Sequence, residues 1–254
     1  MIERCTVQIK GKEYNIDLTL PLDISLPLHE GDENPNCYWA EPPVFETVRA
    51  GDFIGSVAEG GPVNYQRICI TPHGNGTHTE GRAHIEKEIS STVNNSLKKF
   101  IFICELISVE PELSSNDDLV VTEKILREAL IHKDAEAVAI RTLPNDPAKR
   151  VRKYSGSNPP YFTEEAIAFL VKSGVRHLLT DLPSIDKEAD EGKLAGHRAF
   201  WDPNGNKRDN CTITELIFVS DEITDGLYLL NLQVCSLEAD AVPSKPVLYY
   251  LYKN

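Results

Sequence analysis

Thr71-Pro72-His73-Gly74-Asn75-Gly76-Thr77-His78-Thr79-Glu80-Gly81-Arg82-Ala83-His84 gathers three of the seven histidines of the chain into one short stretch. On an extended segment, residues two apart leave the same face, so His78 and Glu80 form a pair able to chelate one cation. His84 follows at the exit of the loop, close enough to reach the same point. Gly74 and Gly76 allow positive φ and a close approach of backbone to a ligand. The plainer reading is a glycine turn between strands with solvated histidines, because short ligand spacings also arise by chance.

Working outward, the 254 residues fit one large α/β domain over 1–254, and 41% hydrophobic content supplies ample core. A net charge of −13 excludes nucleic-acid binding, which needs clustered Lys and Arg, and disfavours anionic membrane surfaces. No run approaches the eighteen or so apolar residues of a membrane span, and Met1-Ile2-Glu3-Arg4 lacks a signal core. The six cysteines contain no CxxC pair. Cys69 and Cys104 sit in strand-like apolar runs, where a free thiol behaves as a small hydrophobe. Reduced thiols and a cytoplasmic location are expected.

Along the chain, 5–10 and 13–20 read as an opening hairpin, and the proline-interrupted 20–28 as an edge strand or extended arm. The loop 29–43 carries Tyr38 and Trp39. Trp39 either pins this loop to the core or forms a stacking wall for a flat substrate. Phe100–Val109 is a near-continuous apolar, β-branched run, hence a buried strand. Beyond it, strands and helices alternate. Thr122 and Thr163 are placed to cap helices, Gly174 to end the second, and Ala137–Arg141 and Val175–Thr180 to form a parallel pair. The basic run in loop 142–162 reads as a mobile lid or, by preference, a solvated surface. Asp181 falls where a parallel strand ends, the side of such sheets that usually carries ligands. Leu227–Val234 and Val247–Tyr252 supply closing strands.

Five segments then appear in a telling order: Gly76-Thr77-His78-Thr79-Glu80, His84, Leu182-Pro183-Ser184-Ile185-Asp186, His197 and Ile213-Thr214-Glu215. With Pro21–Ser25 and Leu237–Tyr249 at the ends, the chain resembles the putative cyclase family, metal-dependent hydrolases that include bacterial kynurenine formamidase and isatin hydrolase. The resemblance implies a swivelling β/β/α fold, a mixed sheet with a parallel βαβ unit, one or two divalent cations, and hydrolysis of a small amide, lactam or lactone. On the family motif His-x-Gly-(Thr/Ala)-His-x-Asp-x-Pro-x-His, His78, Glu80 and His84 take the later positions, and His197 and Glu215 the downstream ligand positions. The sequence departs at Gly74, where the first ligand histidine would fall, at Glu80 for aspartate, and at Arg82 for proline. His73 stands one residue early; in a glycine-bracketed loop it can still swing in. Arg82 would repel a cation unless it faces away or pairs with a carboxylate.

Two imidazoles and two carboxylates from His78, Glu80, His197 and Glu215, with His73 as a further candidate, suit Zn²⁺ or Mn²⁺. His84, left unligated, is the candidate general acid and base. The empty position at Gly74 predicts a single cation. Trp39 and Arg82 are the candidate substrate contacts, and the partner is a small molecule. No Gly-x-Ser-x-Gly elbow or phosphate-binding loop occurs. A homodimer or homotetramer is expected. The competing reading keeps the fold, loses the metal, and makes the chain an inactive small-molecule binder with an acid held by Arg82.

Overall fold

In the computed structural model, which describes residues 2–87, 91–132 and 135–253, the apolar run after Phe100 becomes the first of four strands lying parallel. Seven strands are numbered in chain order: β1 (His78–Glu80), β2 (Ile101–Val109), β3 (Ala137–Thr142), β4 (His177–Thr180), β5 (Thr212–Glu215), β6 (Gly226–Val234) and β7 (Ala241–Tyr250). Their order is β6-β2-β3-β4-β5-β1-β7, and β6 also pairs with β7, so the sheet closes into a mixed seven-stranded barrel. Strands β2 to β5 are parallel neighbours, while β1, β6 and β7 join antiparallel. Leu22–Asp23 extends the sheet at Val247 and Leu248 of β7 as a short edge strand. The opening hairpin forms from Arg4–Ile9 and Lys12–Asp17.

The crossovers between parallel strands carry helices α1 (Glu123–Ala129), α2 (Glu164–Lys172) and α3 (Ala195–Trp201). Strand periodicity sorts the core into two compartments. Val138, Ile140, Leu178 and Ile213 point outward against Leu126, Ile167, Leu170 and Phe200 of the helices. Ala137, Ala139, Cys104 and Leu179 point inward with Leu106, Leu230 and Leu248. Small residues at several inward positions fit the narrow lumen of a barrel this size. Burying each outward Leu or Ile contributes about 1.5–3 kcal/mol, which is what holds the short helices against the sheet.

Helix ends follow the local chemistry unevenly. The Thr163 hydroxyl accepts the Ala166 N–H at 3.2 Å, and Gly174 ends α2 with φ +91°. Thr122 precedes α1, but its hydroxyl donates to Glu112 instead (2.7 Å), leaving that helix without a side-chain cap. Cys104 is buried as expected; Cys69 is exposed on the two-stranded ribbon of Val44–Thr47 and Gln66–Cys69.

The end of the parallel strands does line a cavity, through Ser184, Asp186 and Glu215, but the basic run is not solvated as expected. Asp181 does lie beyond β4, but it is buried and accepts bonds from the Thr142 N–H (2.9 Å), the Thr142 hydroxyl (2.9 Å) and Lys149 Nζ (2.9 Å). Lys149, in the basic run assigned to water, is therefore buried and ties loop 142–162 to the barrel. A buried charge is tolerated only when paired, and the pair consumes both residues. All six cysteines are free. Among the described residues no helix is long and apolar enough to cross a membrane.

His177 on β4 is a neutral imidazole stacked on Phe102, with ring centroids 4.0 Å apart, and bonded to the Thr212 hydroxyl at 2.9 Å. Burial, then the charges of Arg176 and Arg208, push its pKa down to about 3. A depressed histidine contributes stability that is complete above its unfolded value of about 6.5 and is lost as pH falls towards 3. Between pH 6.5 and 4, His177→Gln should therefore flatten the stability curve by up to about 1.4 kcal/mol per pH unit, read as urea midpoints. Identical slopes in variant and wild type would show that His177 does not carry this dependence.

Candidate metal centre

The histidine stretch does not form the simple glycine loop its sequence suggests. Pro72 opens a single helical turn, Pro72–Asn75, and Gly76 (φ 177°) then leads in extended form into β1. Neither Gly74 nor Gly76 lies in the left-handed region. Gly74 is required by crowding: a Cβ there would stand 2.3 Å from Ala40 Cβ and 3.0 Å from the Cys37 carbonyl. On a helical turn a one-residue slip rotates a side chain by about 100° rather than reversing it. His73 thereby reaches the place that Gly74 cannot fill, with Nδ1 2.6 Å from Glu80 Oε1. The expectation of one cation, which rested on a missing ligand at Gly74, loses that basis.

Register supplies the next members. β1 lies between β5 and β7, with His78 opposite Glu215 and Glu80 opposite both Ile213 and Ala241. His78 Nδ1–H donates to the Gly76 carbonyl (2.9 Å), which leaves Nε2 as the lone-pair nitrogen. That Nε2 is fully buried, 3.4 Å from Glu80 Oε1 and 3.5 Å from Glu215 Oε2, and neither contact has hydrogen-bond geometry. His197 comes from α3. Asp186 accepts the N–H groups of Gly196 (2.6 Å) and His197 (3.1 Å), capping the helix, and also bonds His197 Nδ1 at 2.6 Å. One carboxylate thus starts the helix and turns His197 Nε2 towards Glu80 Oε2, 3.3 Å away. The Ile185 N–H fixes Glu215 Oε1 at 2.9 Å. His84, in the turn Arg82–Ile85, has Nε2 3.9 Å from Glu80 Oε1.

Glu80 is therefore ringed by four imidazoles. Burial alone would raise its pKa, but His84, His197, His73 and His78 together hold it well below the ordinary carboxylate range. The converse holds for the rings. Burial opposes their charge, yet neighbouring carboxylates outweigh it: His73 is pushed up to about 10 by its bonds to Asp240 and Glu80, His78 to about 9 by the negative charges of Glu215 and Glu80 beside it, and His197 to about 10 by Asp186 and Glu80. A cluster that must hold protons to balance its carboxylates is one in which a cation can replace them. Among the described residues, three sets lie close enough for shared ligation, with donor atoms within 4.8 Å: His73–His78–Glu80, Glu80–His84–His197 and His73–His84–Asp240. The mixed nitrogen and oxygen donors, and a buried His78 Nε2 that lacks a partner, fit a divalent ion of the zinc or manganese kind.

A cavity of about 270 Å³ opens beside the cluster, lined by His73, Glu80, His84, His197 and Glu215 together with Tyr38, Lys187, Glu188 and Asp190. The two expected substrate contacts lie outside it. Arg82 turns away and is buried, with Nε 2.5 Å from Asp209 and Nη1 donating to Glu86, so its charge is taken up by two carboxylates. Trp39 is 72% exposed; its neighbour Tyr38 takes the wall instead. Both residues are left-handed, with φ 54° and 53°. The bonds of Cys37 N–H to Gly74 O (3.0 Å) and Trp39 N–H to the Ser155 hydroxyl (2.8 Å) pin this strained pair. Tyr38 is itself 42% exposed, so its desolvation is partial; that and the Glu215 charge raise the phenol above its usual range, and it stays protonated. Sequence reading also missed Asp240, which no local pattern marks beyond its place just before the closing strand.

The sequence profile of the family described as putative cyclase matches residues 16–187. A kynurenine formamidase of Bacillus cereus is 23% identical over 241 residues, covering 94% of this chain and 99% of the relative. A solved structure of a potential metal-dependent hydrolase with cyclase activity superposes with a TM-score of 0.65 at 18% identity, over 91% of this chain and 97% of that one. An isatin hydrolase bound to the product analogue thioisatinate superposes at 0.63 and 13% identity, over 91% and 93% respectively.

The raised histidines make metal and proton competitors. In metal-free protein their stabilising contribution is complete below about pH 6.5 and disappears as pH rises through 9 to 10. The rise in Tm on adding Zn²⁺ should accordingly be small near pH 6 and grow steadily towards pH 8.5, with protons released on binding. A Zn²⁺-induced shift that is constant across this range would contradict the exchange.

Proposed function

The chain belongs to the putative cyclase family, and on that premise we propose that it is a metal-dependent hydrolase of a small carbonyl compound, an aryl formamide or a lactam. The observation that carries this reading is His78 Nε2, buried and without a hydrogen bond between Glu80 and Glu215. His73, His78, Glu80, His197 and Glu215 would hold the ion, Zn²⁺ or Mn²⁺. Such an ion polarises a carbonyl and brings the pKa of water towards neutrality. The two objections raised by the sequence, Gly74 and Arg82, lose force because His73 stands in for the first and Asp209 and Glu86 occupy the second.

The side chains around the cavity have complementary tasks. His84 borders it and is partly exposed, so its Nε2 can accept a proton from the attacking water and return it to the leaving nitrogen. Tyr38 offers a ring face for a flat substrate and a protonated hydroxyl at its edge. Glu188, Asp190 and Lys187 line the same cavity, and the two carboxylates outnumber the ammonium there. The kynurenine formamidases among the relatives and the isatin hydrolases among the structural neighbours suggest the first substrates to try.

Protein loaded with Zn²⁺ or Mn²⁺ should turn over an N-formyl aromatic amine or isatin. His84→Ala should lower turnover by about two to four orders of magnitude with metal content unchanged, and His78→Ala should lose metal and activity together. Elemental analysis finding no bound metal, with ligand binding but no turnover, would favour the inactive binder instead.

Assembly is the second part of the reading. Among the described residues the ribbon of Val44–Thr47 and Gln66–Cys69 pairs with no other strand; it exposes Val44 and Ile68, with Tyr65 exposed just before it and Trp39 nearby in sequence. A two-stranded ribbon open on both faces is marginal on its own, which suits burial against a second copy. Sedimentation should give at least twice the 28.3 kDa chain mass; a monomer at micromolar concentration would count against it.

A further inference from the structure

Asp240 meets two rings of the cluster with a single oxygen. Its Oδ2 lies 3.2 Å from His73 Nε2 and 3.3 Å from His84 Nδ1. The two rings face one another, with centroids 4.5 Å apart and planes inclined at 34°. The backbone around Asp240 is held on both sides. Its carbonyl accepts the Gly81 N–H at 2.9 Å, the Ala239 carbonyl accepts the Val93 N–H at 3.0 Å, and Ala241 pairs with Glu80 across β7 and β1. The same register that aligns β7 with the ligand strand therefore sets this carboxylate over both histidines.

We propose that Asp240 is a positioning residue that fixes the ring protons of His73 and His84 together, through His73 Nε2 and His84 Nδ1. An ionised carboxylate only accepts, so each ring must donate through the nitrogen that faces it. His84 then keeps its lone pair on Nε2, the atom that faces the cavity and Glu80. His73 Nδ1 faces Glu80 Oε1 at 2.6 Å, a hydrogen-bond distance bridged by a proton in the metal-free protein. With Nε2 committed to Asp240, Nδ1 is the nitrogen left to become a ligand when a cation displaces that proton. A carboxylate on the far nitrogen of a ligating histidine is the usual device for fixing its tautomer. Asp240 extends that device to the acid–base residue as well. The ligand environment and the proton-carrying ring then share one anchor.

The assignment of His84 as the proton carrier rests on the hydrolase reading, whereas the placement of the protons does not. The test therefore has two arms. In zinc-loaded protein labelled with ¹⁵N-histidine, NMR should show His84 protonated on Nδ1 and His73 on Nε2. In Asp240→Ala, His84 should shift to a mixture dominated by the Nε2-protonated form. Wild-type-like His84 signals in that variant would overturn the proposal, whether or not any substrate is turned over. In the kinetic arm, Asp240→Asn, which keeps the shape and guards against misfolding of the alanine variant, should lower kcat about ten- to a hundredfold. KM should change less than twofold at unchanged zinc content, and Asp240→Glu should recover part of the loss. A fall in kcat matched by loss of zinc or of Tm, and unrelieved by glutamate, would reduce Asp240 to a structural role and refute it. If the wild type hydrolyses nothing while the tautomers shift as described, the hydrolase reading fails and the positioning role stands.

Discussion

A single fully buried carboxylate, Glu80, sets the terms for the whole site. Removing such a charge from water costs several kcal/mol unless positive partners surround it. The fold meets that demand from four directions: a helical turn brings His73, the same strand brings His78, the following turn His84, and helix α3 His197. Each of these histidines in turn needs a group to orient it, and each has one: Asp240, the Gly76 carbonyl, Asp240 again, and Asp186. The local structure of four separate segments is thus subordinate to one electrostatic requirement. Proton or cation can meet it, which makes the site a place of exchange and not merely of charge balance.

The parts of this arrangement that were readable in the sequence are those that depend on neighbours along the chain. His78 and Glu80 share a face because strands alternate, and α2 begins at Thr163 and ends before Gly174 for local reasons. What could not be read depends on partners. Periodicity says that Ala137 and Val138 face opposite ways, but not that the sheet closes, since closure is a pairing of β6 with β7. Asp240 looks like any acidic loop residue until register sets it opposite the histidines. Asp181 and Lys149 looked like a ligand and a solvated charge, and each was claimed by the other.

The aromatic loop is the instructive intermediate case. Its composition pointed to a wall for a flat ligand, but two successive left-handed residues decide which ring turns inward, and they select Tyr38 over Trp39. Backbone conformation of that kind is imposed by contacts with Gly74 and Ser155, which are distant in sequence. The departure at Gly74 likewise changes meaning in three dimensions. The glycine makes room for Ala40, and the histidine that meets Glu80 stands one residue earlier, on a turn that the packing has already bent.

Strand β7 has two partners in succession: Ala241–Pro243 lies against β1, and Ser244–Tyr250 against β6. The strand that seals the barrel is therefore also the one that completes the wall of the histidine cluster. During synthesis the ligands on β1 emerge long before it, and the pairing that fixes Asp240 must wait for the last strand of the barrel. Such late, sequence-distant pairing is slow to form. The nascent chain passes through a period when His73, His78 and Glu80 exist without their final enclosure, so the cluster around Glu80 is complete only at the end of folding. Barrel closure and the maturation of the site are then one event.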